Sequence, residues 1–96
     1  MEFYDDDLEK LESDPRSTAG KGDAVDRGFR KVMFVIRAAP DERDFYQLRS
    51  LHYEKLKGKR SRQSSFRINK QWRLIVEIEE TESYKRVGVI GIEDYH

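Results

Sequence analysis

Apolar residues at helical spacing predict a short helix near the start of the chain. Leu8 and Leu11 fall on one face of this segment. Three aspartates at positions 5–7 favour a helix N-terminus, and Pro15 ends the turn. Residues 14–22, which are small, polar and glycine-containing, are predicted to form a loop.

A second, longer helix is predicted between Asp23, which is expected to cap it, and Pro40, which is expected to end it. Its apolar positions follow helical spacing: Val25, Phe29, Val32, Met33 and Ile36. Residues 41–48 are expected to add one more turn that packs Phe45 and Leu48.

The apolar period changes from helical to alternating in the second half of the chain. Apolar and polar residues alternate over 65–69 and again over 73–79, which predicts a hairpin with its turn at 69–71. Residues 87–92 supply another strand, and residues 1–4 an edge strand. Helices followed by strands predict an α+β fold.

The composition is consistent with one small soluble domain covering residues 1–96. The chain is 36% hydrophobic and 40% charged, so its core must be modest. It has no cysteine, which excludes disulfides, thiolate metal ligands and a cysteine nucleophile. The acidic start lacks a signal-peptide core, and the longest apolar run, Val32–Ile36, is too short to span a bilayer. We therefore expect a cytoplasmic protein with no membrane partner.

Positive charge is concentrated in the middle of a chain whose formal net charge is zero. Residues 45–76 hold nine Lys or Arg and one acid, Glu54, whereas the segments before and after are each net −4. A basic segment between acidic flanks attracts polyanions, so nucleic acid is the first partner to consider.

The hairpin register places two arginines opposite each other. Pairing Ile68 with Trp72 and Phe66 with Leu74 keeps one face apolar, and this puts Arg67 opposite Arg73 on the other face. The two guanidinium groups repel unless an anion compensates them. The compensating group is either a bound phosphate or, alternatively, Glu77, Glu79 or solvent.

Two further segments carry groups suited to binding phosphates or transferring protons. The loop before the hairpin is basic, and is either a phosphate-binding loop or a solvated one; its cations are Lys55, Lys57, Lys59, Arg60 and Arg62. The last three residues, Asp94, Tyr95 and His96, supply a carboxylate, a phenol and an imidazole, which can transfer protons or stack on a base. A histidine at this position is otherwise a surface residue without a role.

Three strings together resemble a known family: LKGKR at 56–60, SFRINKQWRL at 65–74 and EDYH at 93–96. In order and spacing they are similar to the HigB branch of the RelE/ParE toxin superfamily. The resemblance implies helices packed on a small curved antiparallel sheet with a basic face exposed. It also implies a toxin of a type II toxin-antitoxin system that cleaves mRNA in the ribosomal decoding site.

The resemblance further implies which residues and partners take part. It assigns the catalytic site to five residues: Lys57, Arg73, Asp94, Tyr95 and His96. Arg67 of the hairpin, and the loop cations other than Lys57, would contact RNA. The implied partners are the ribosome, mRNA and a HigA-like helix-turn-helix antitoxin, with operator DNA bound only through that antitoxin. The cleavage would use attack by the RNA 2′-hydroxyl, with no metal and no cofactor.

One position departs from the family pattern. Some members have a histidine three residues before the lysine, where this chain has Glu54, and His52 lies two residues earlier. Catalysis would then use Glu54, recruit His52 through a small backbone shift, or rely on His96 and the cations. A strand over 51–56 would place His52, Glu54 and Leu56 on one face, with Leu56 toward the core.

Two other functions fit the same residues. A ParE-like toxin of the same fold would inhibit gyrase, although it has no need of proton-transfer groups. A non-enzymatic RNA- or ribosome-binding module would use the basic face alone, and would lose binding when the charges around Lys57 are removed.

Overall fold

The computed structural model describes residues 1–39, 42–80, 82 and 85–94. The first predicted helix, α1, spans Asp6–Ser13 and buries Leu8 and Leu11. Asp5 caps it, since its carboxylate accepts the backbone N–H of Asp7 at 2.9 Å. The residues between this helix and the next form the predicted loop.

The second helix, α2, spans Asp23–Ala38 and buries all five of the apolar residues predicted to face the core. The predicted cap at Asp23 is wrong: Gly22 holds that position, and Asp23 is the first helical residue. Gly22 has φ 104°, a conformation that an aspartate rarely adopts. Pro40, the predicted end, lies outside the described residues. No helix in the described part of the chain is long and apolar enough to cross a membrane.

The third helix, α3, is short, spanning Arg43–Gln47, and it is only partly as expected. Phe45 is fully buried, but Leu48 is 45% exposed and does not pack in the core. The chain leaves helical geometry at Leu48 and enters a 3₁₀ turn, Arg49–Leu51, so Leu51 takes the buried position instead. Residue 41, included in this prediction, lies outside the described residues.

Five strands form one sheet in the order β1-β5-β4-β3-β2. They are β1 (Glu2–Phe3), β2 (Glu54–Lys55), β3 (Gln63–Arg67), β4 (Trp72–Glu80) and β5 (Lys85–Asp94). The pairs among β2 to β5 are antiparallel, as expected, but β1 runs parallel to β5, so the sheet is mixed. The N-terminal segment covers the edge of β5 that would otherwise be unpaired.

The predicted hairpin register is confirmed, with Phe66 opposite Leu74 and Arg67 opposite Arg73. Successive residues of a strand point to opposite faces, so the sheet has an apolar face under the helices and a second face away from them. The helices and the apolar face enclose one core. Ile75 pairs with Gly91 and Val76 with Val89, so the bulge between these pairs lies opposite the middle of β4.

The α+β fold predicted from the sequence is therefore confirmed: three described helices lie on one face of a five-stranded sheet. An aromatic cluster links the third helix to the sheet. The Phe45 ring lies 5.0 Å from that of Phe66 and 5.2 Å from that of Tyr53, both in edge-on geometry. This cluster anchors the segment that leads into β2.

Close packing between α2 and the hairpin depends on Gly28. A Cβ at this position would lie 2.7 Å from Cγ2 of Ile68 and 3.0 Å from its carbonyl oxygen. Neither atom can move away easily, because one is on a β-branched side chain and the other on the backbone. The helix therefore approaches the hairpin to a distance that only glycine permits.

We predict that Gly28→Ala lowers the free energy of unfolding, although alanine is the better helix former by about 1 kcal/mol. Overpacking typically costs about 1–3 kcal/mol, so steric cost should exceed the helix gain. Gly91→Ala is the matched control, because nothing lies within 4 Å of its added methyl group. Equal stability of the two variants in urea denaturation would contradict the close approach.

The loop before α2 is held by a buried carboxylate. Asp26 is 4% exposed and accepts the backbone N–H of Ala19 at 2.9 Å. This hydrogen bond is the main reason that the pKa of Asp26 is lowered, and the Thr18 hydroxyl adds to the effect. Arg30 holds the same loop, donating to the carbonyls of Leu11 and Ser17.

The lowered pKa predicts a pH-dependent contribution to stability. Asp26 stabilises the fold above its unfolded pKa, and this contribution is lost as the pH falls through the folded pKa. We expect Asp26→Asn to cost about 1–2 kcal/mol at pH 7, and the difference from the parent to vanish at acidic pH. Urea denaturation at several pH values measures this, with the exposed Asp23→Asn as control. A cost independent of pH would contradict it.

Candidate functional site

Arg73 is the central charged group on the sheet face away from the helices. Its side chain is 9% exposed, and its guanidinium group is held from three directions. Nη1 donates to Glu54 Oε1 at 2.7 Å and to Ser65 Oγ at 2.9 Å. Nη2 donates to the His52 carbonyl at 3.3 Å. Among the described contacts, this nearly buried cation is thus compensated by the Glu54 carboxylate, the Ser65 hydroxyl and the His52 carbonyl.

Glu54 is the compensating carboxylate that the sequence analysis left open. Glu77 and Glu79 were expected among the groups that could screen the paired arginines, but Glu54 from β2 makes the contact with Arg73. Pairing of Glu54 with Ser65 in the sheet register brings it to this face. Its side chain remains 50% exposed, so the carboxylate meets both the guanidinium group and solvent.

A cleft of about 240 Å³ opens above Arg73. Its polar lining is Glu54, Arg60, Ser65, Arg73, Glu93 and Asp94, with Leu56 and Ile75 as apolar walls. The cleft therefore brings together residues from β2, β3, β4, β5 and the loop before β3. Ser65 and Glu93 were not predicted as site residues. The alternation that placed Arg67 on this face also places Ser65 there, so the pattern contained a signal for it.

The strand considered over 51–56 is shorter than that range. Only Glu54 and Lys55 form β2, while His52 has φ 45°, in the left-handed region. Leu56 is half-buried and lines the cleft rather than joining the core cluster. His52 and Glu54 consequently do not share a strand face, and only Glu54 lines the cleft.

Arg67 lies across the hairpin from Arg73 and is held by different groups. Its Nε donates to the Asn69 carbonyl at 3.2 Å, and Nη1 lies 3.2 Å from His52 Nε2. The repulsion between the two opposed arginines is thus reduced separately for each: Glu54 neutralises one, and polar acceptors hold the other.

Arg60 is the loop cation that enters the cleft, and it is paired. Its two terminal nitrogens contact the Glu93 carboxylate at 3.0 and 2.7 Å, and Nε donates to Gln63. Both partners are about half exposed, so the pair is open to exchange with a ligand. Asp94, at the end of β5, accepts from the Gln71 amide at 3.2 Å.

The remaining predicted residues do not all lie at this cleft. Lys57 and Lys59 are exposed and outside its lining. Lys55 and Arg62 line a different, larger groove of about 510 Å³, which also contains Glu2, Glu42, Glu77 and Glu79. Lys55 is separated from its neighbour Glu54 because consecutive strand residues face opposite ways. Tyr95 and His96 lie outside the described residues.

The buried side chain of Tyr53 lines this larger groove. Its hydroxyl lies 2.9 Å from Glu42 Oε1 and 3.2 Å from Ser64 Oγ. Burial raises the pKa of Tyr53, so the hydroxyl stays protonated and hydrogen-bonded. Within the described ranges, no three His, Cys, Asp or Glu side chains are grouped to hold a metal ion.

Comparison with known proteins agrees with this fold. The chain matches, over residues 1–87, the family model of the RelE-like toxin of the type II toxin-antitoxin system HigB. The chain belongs to the HigB-like toxin family. As a type II toxin, this HigB-like protein has an antitoxin as its partner. No curated protein matches the chain.

A solved structure supports the fold of this HigB-like toxin. It is titled "YoeB/ParE toxin from Agrobacterium tumefaciens", is 19% identical, covers 100% of both chains and superposes with a TM-score of 0.56. At this identity the likeness concerns the fold alone. The family match ends before the terminal triplet, so Asp94, Tyr95 and His96 remain candidates from the residues and the resemblance.

The Arg73–Glu54 pair generates a stability prediction. Glu54→Ala leaves a nearly buried guanidinium group without its carboxylate, and should lower the free energy of unfolding by about 2 kcal/mol. Glu54→Gln keeps an acceptor and should cost less. Urea denaturation measures both.

The control for this prediction is Glu93→Ala, which removes the carboxylate from the half-exposed Arg60 pair and should cost less than about 1 kcal/mol. Equal losses for Glu54→Ala and Glu93→Ala would mean that burial of Arg73 does not strengthen its pairing.

Proposed function

We propose that this HigB-like toxin is a ribosome-dependent endoribonuclease that cuts mRNA in the decoding site. The observation that carries the proposal is the Arg73–Glu54 pair, a fixed cation 2.7 Å from a half-exposed carboxylate in an open cleft. Cleavage by attack of the RNA 2′-hydroxyl on the adjacent phosphate needs a base, a cation and an acid. The pair supplies the first two.

Arg73 is the cation in this proposal. Its guanidinium group is oriented in advance by Ser65 and the His52 carbonyl, so no reorganisation is required when charge develops on the phosphorane. A phosphate that enters the cleft competes with Glu54 for Nη1. Displacement of Glu54 from Arg73 leaves its carboxylate beside the bound phosphate.

Glu54 is the base in this proposal. A carboxylate freed from Arg73 and already in contact with solvent can accept the proton of the 2′-hydroxyl. The geometry favours Glu54 over His52, the alternative base from the sequence, because Glu54 lines the cleft and the His52 ring is engaged with Arg67.

The acid and the remaining contacts follow from the family resemblance. We assign His96 as the group that protonates the departing 5′-oxygen, Tyr95 as the residue that stacks on a base, and Asp94 as an orienting group. The position of Asp94 in the cleft lining supports this assignment. Lys57, exposed next to Leu56, would stabilise phosphate charge, and the other loop cations would bind the RNA backbone.

The ribosome has a physical role in this proposal. In-line attack requires the 2′-oxygen, the phosphorus and the leaving oxygen to be aligned, and a small open cleft does not impose this on a flexible strand. An mRNA held in the decoding site is already constrained. The proposal includes a HigA-like helix-turn-helix antitoxin that controls the toxin in the cytoplasm and contacts operator DNA.

The test is cleavage of mRNA in a purified translation system, with and without ribosomes. We expect ribosome-dependent cuts by the parent, and a loss of roughly 10²–10⁴-fold for Glu54→Gln and for His96→Ala, since each removes a proton-transfer group. Lys57→Ala should weaken cleavage less. Lys31→Ala, on the exposed face of α2, is the matched surface control and should cut normally.

One result would overturn this function, and another would overturn only the assignment of its base. No cutting by the parent in the presence of ribosomes would favour a gyrase inhibitor or a binding module. Full activity of Glu54→Gln with loss in His96→Ala would keep the nuclease but remove Glu54 as the base.

A further inference from the structure

His52 has an unusual backbone conformation next to the cleft. Among the described residues it is the one non-glycine with positive φ, at 45°. Left-handed geometry is unfavourable for a non-glycine residue, so it persists where surrounding contacts require it. The carbonyl of Arg49 accepts the His52 N–H at 3.1 Å, which closes the preceding 3₁₀ turn.

The kink lets one residue contact both opposed arginines. The His52 carbonyl accepts from Arg73 Nη2 at 3.3 Å, while its ring nitrogen Nε2 lies 3.2 Å from Arg67 Nη1. Arg67 and Arg73 are direct partners in the hairpin register. An extended residue at position 52 would direct its carbonyl and its side chain differently, and would not make both contacts.

The donor-only chemistry of the Arg67 guanidinium group bears on which nitrogen of the His52 imidazole carries the proton. A guanidinium group has donors only and stays protonated in proteins. A hydrogen bond from Arg67 Nη1 to His52 Nε2 requires this ring nitrogen to offer a lone pair, which is the case in the neutral tautomer with its proton on Nδ1. A ring whose Nε2 lone pair is occupied by Arg67 is not available as the general base.

We propose that His52 is a positioning residue: its neutral imidazole holds Arg67 beside Arg73, so that the two cations face the RNA together. Within the described part of the chain, Arg67 makes one other hydrogen bond, from Nε to the Asn69 carbonyl, so Nη1 can turn away once the ring is removed. Like charge on Arg73 favours that departure. The role of His52 in RNA cleavage rests on the proposed function, whereas its contact with Arg67 does not.

The first test needs no RNA. The ¹⁵N spectrum of the imidazole distinguishes the two neutral tautomers, and the two histidines of the chain are separated by the signal lost in His52→Gln. We expect His52 to carry its proton on Nδ1 in the parent and to lose that preference in Arg67→Ala. A proton on Nε2 in the parent, or no change in Arg67→Ala, would overturn the proposal.

The second test uses a matched pair of substitutions. Glutamine places an oxygen acceptor as many bonds from Cα as Nε2, and methionine has the same length without a strong acceptor. Both side chains meet the same cost of the left-handed backbone, so the difference in cleavage between the two variants reports the hydrogen bond to Arg67. We expect ribosome-dependent cleavage about tenfold weaker for His52→Met than for His52→Gln, mainly in KM, because the loss concerns RNA binding.

The background variant Arg67→Ala completes the test. If His52 acts through Arg67, the difference between glutamine and methionine should vanish there. A difference that persists, or equal cleavage by both single variants, would overturn the proposal while leaving the nuclease intact. An inactive parent would instead count against the proposed function, and the tautomer measurement would still decide the inference.

Discussion

A guanidinium group removed from water is costly unless its donors and its charge are met, and at Arg73 this requirement organises the whole face away from the helices. The group draws Glu54, and with it β2, onto the sheet edge, and it holds the His52 carbonyl in place. It also fixes Ser65 beneath the cleft. The packed core on the opposite face supplies the rigid platform, since Phe66 and Leu74 lie on the same two strands as Ser65 and Arg73 and are fully buried.

The basic segment is more internally paired than its composition indicates. Glu54 neutralises Arg73, Glu93 neutralises Arg60, and Glu42 lies 3.4 Å from Lys55. Two of these carboxylates come from outside the segment, so the linear charge count overstates the field that a ligand meets. Attraction of a polyanion therefore depends on exchange of these carboxylates for phosphates as well as on net charge.

The long regular elements were predictable because their apolar positions repeat over several turns or alternations and one face is buried. The helix faces and the hairpin register followed from the apolar pattern, and the opposition of Arg67 and Arg73 followed from the register. Short-range geometry was not predictable. The cap at Gly22, the exposure of Leu48 and the left-handed His52 depend on backbone angles that no periodicity encodes. The partner of Arg73 was missed because sheet neighbours distant in sequence leave no local pattern.

The edge strand β2 makes one side of the cleft locally less stable than the other. It consists of two residues paired to β3 alone, whereas β4 is nine residues long and paired on both sides. Segments with few ladder hydrogen bonds open at a lower free energy than the centre of a sheet. Glu54 belongs to the edge and Arg73 to the centre, so the two halves of the pair belong to regions of different local stability. Separation of the carboxylate from the guanidinium group is thus a local opening of the sheet edge that leaves the core folded.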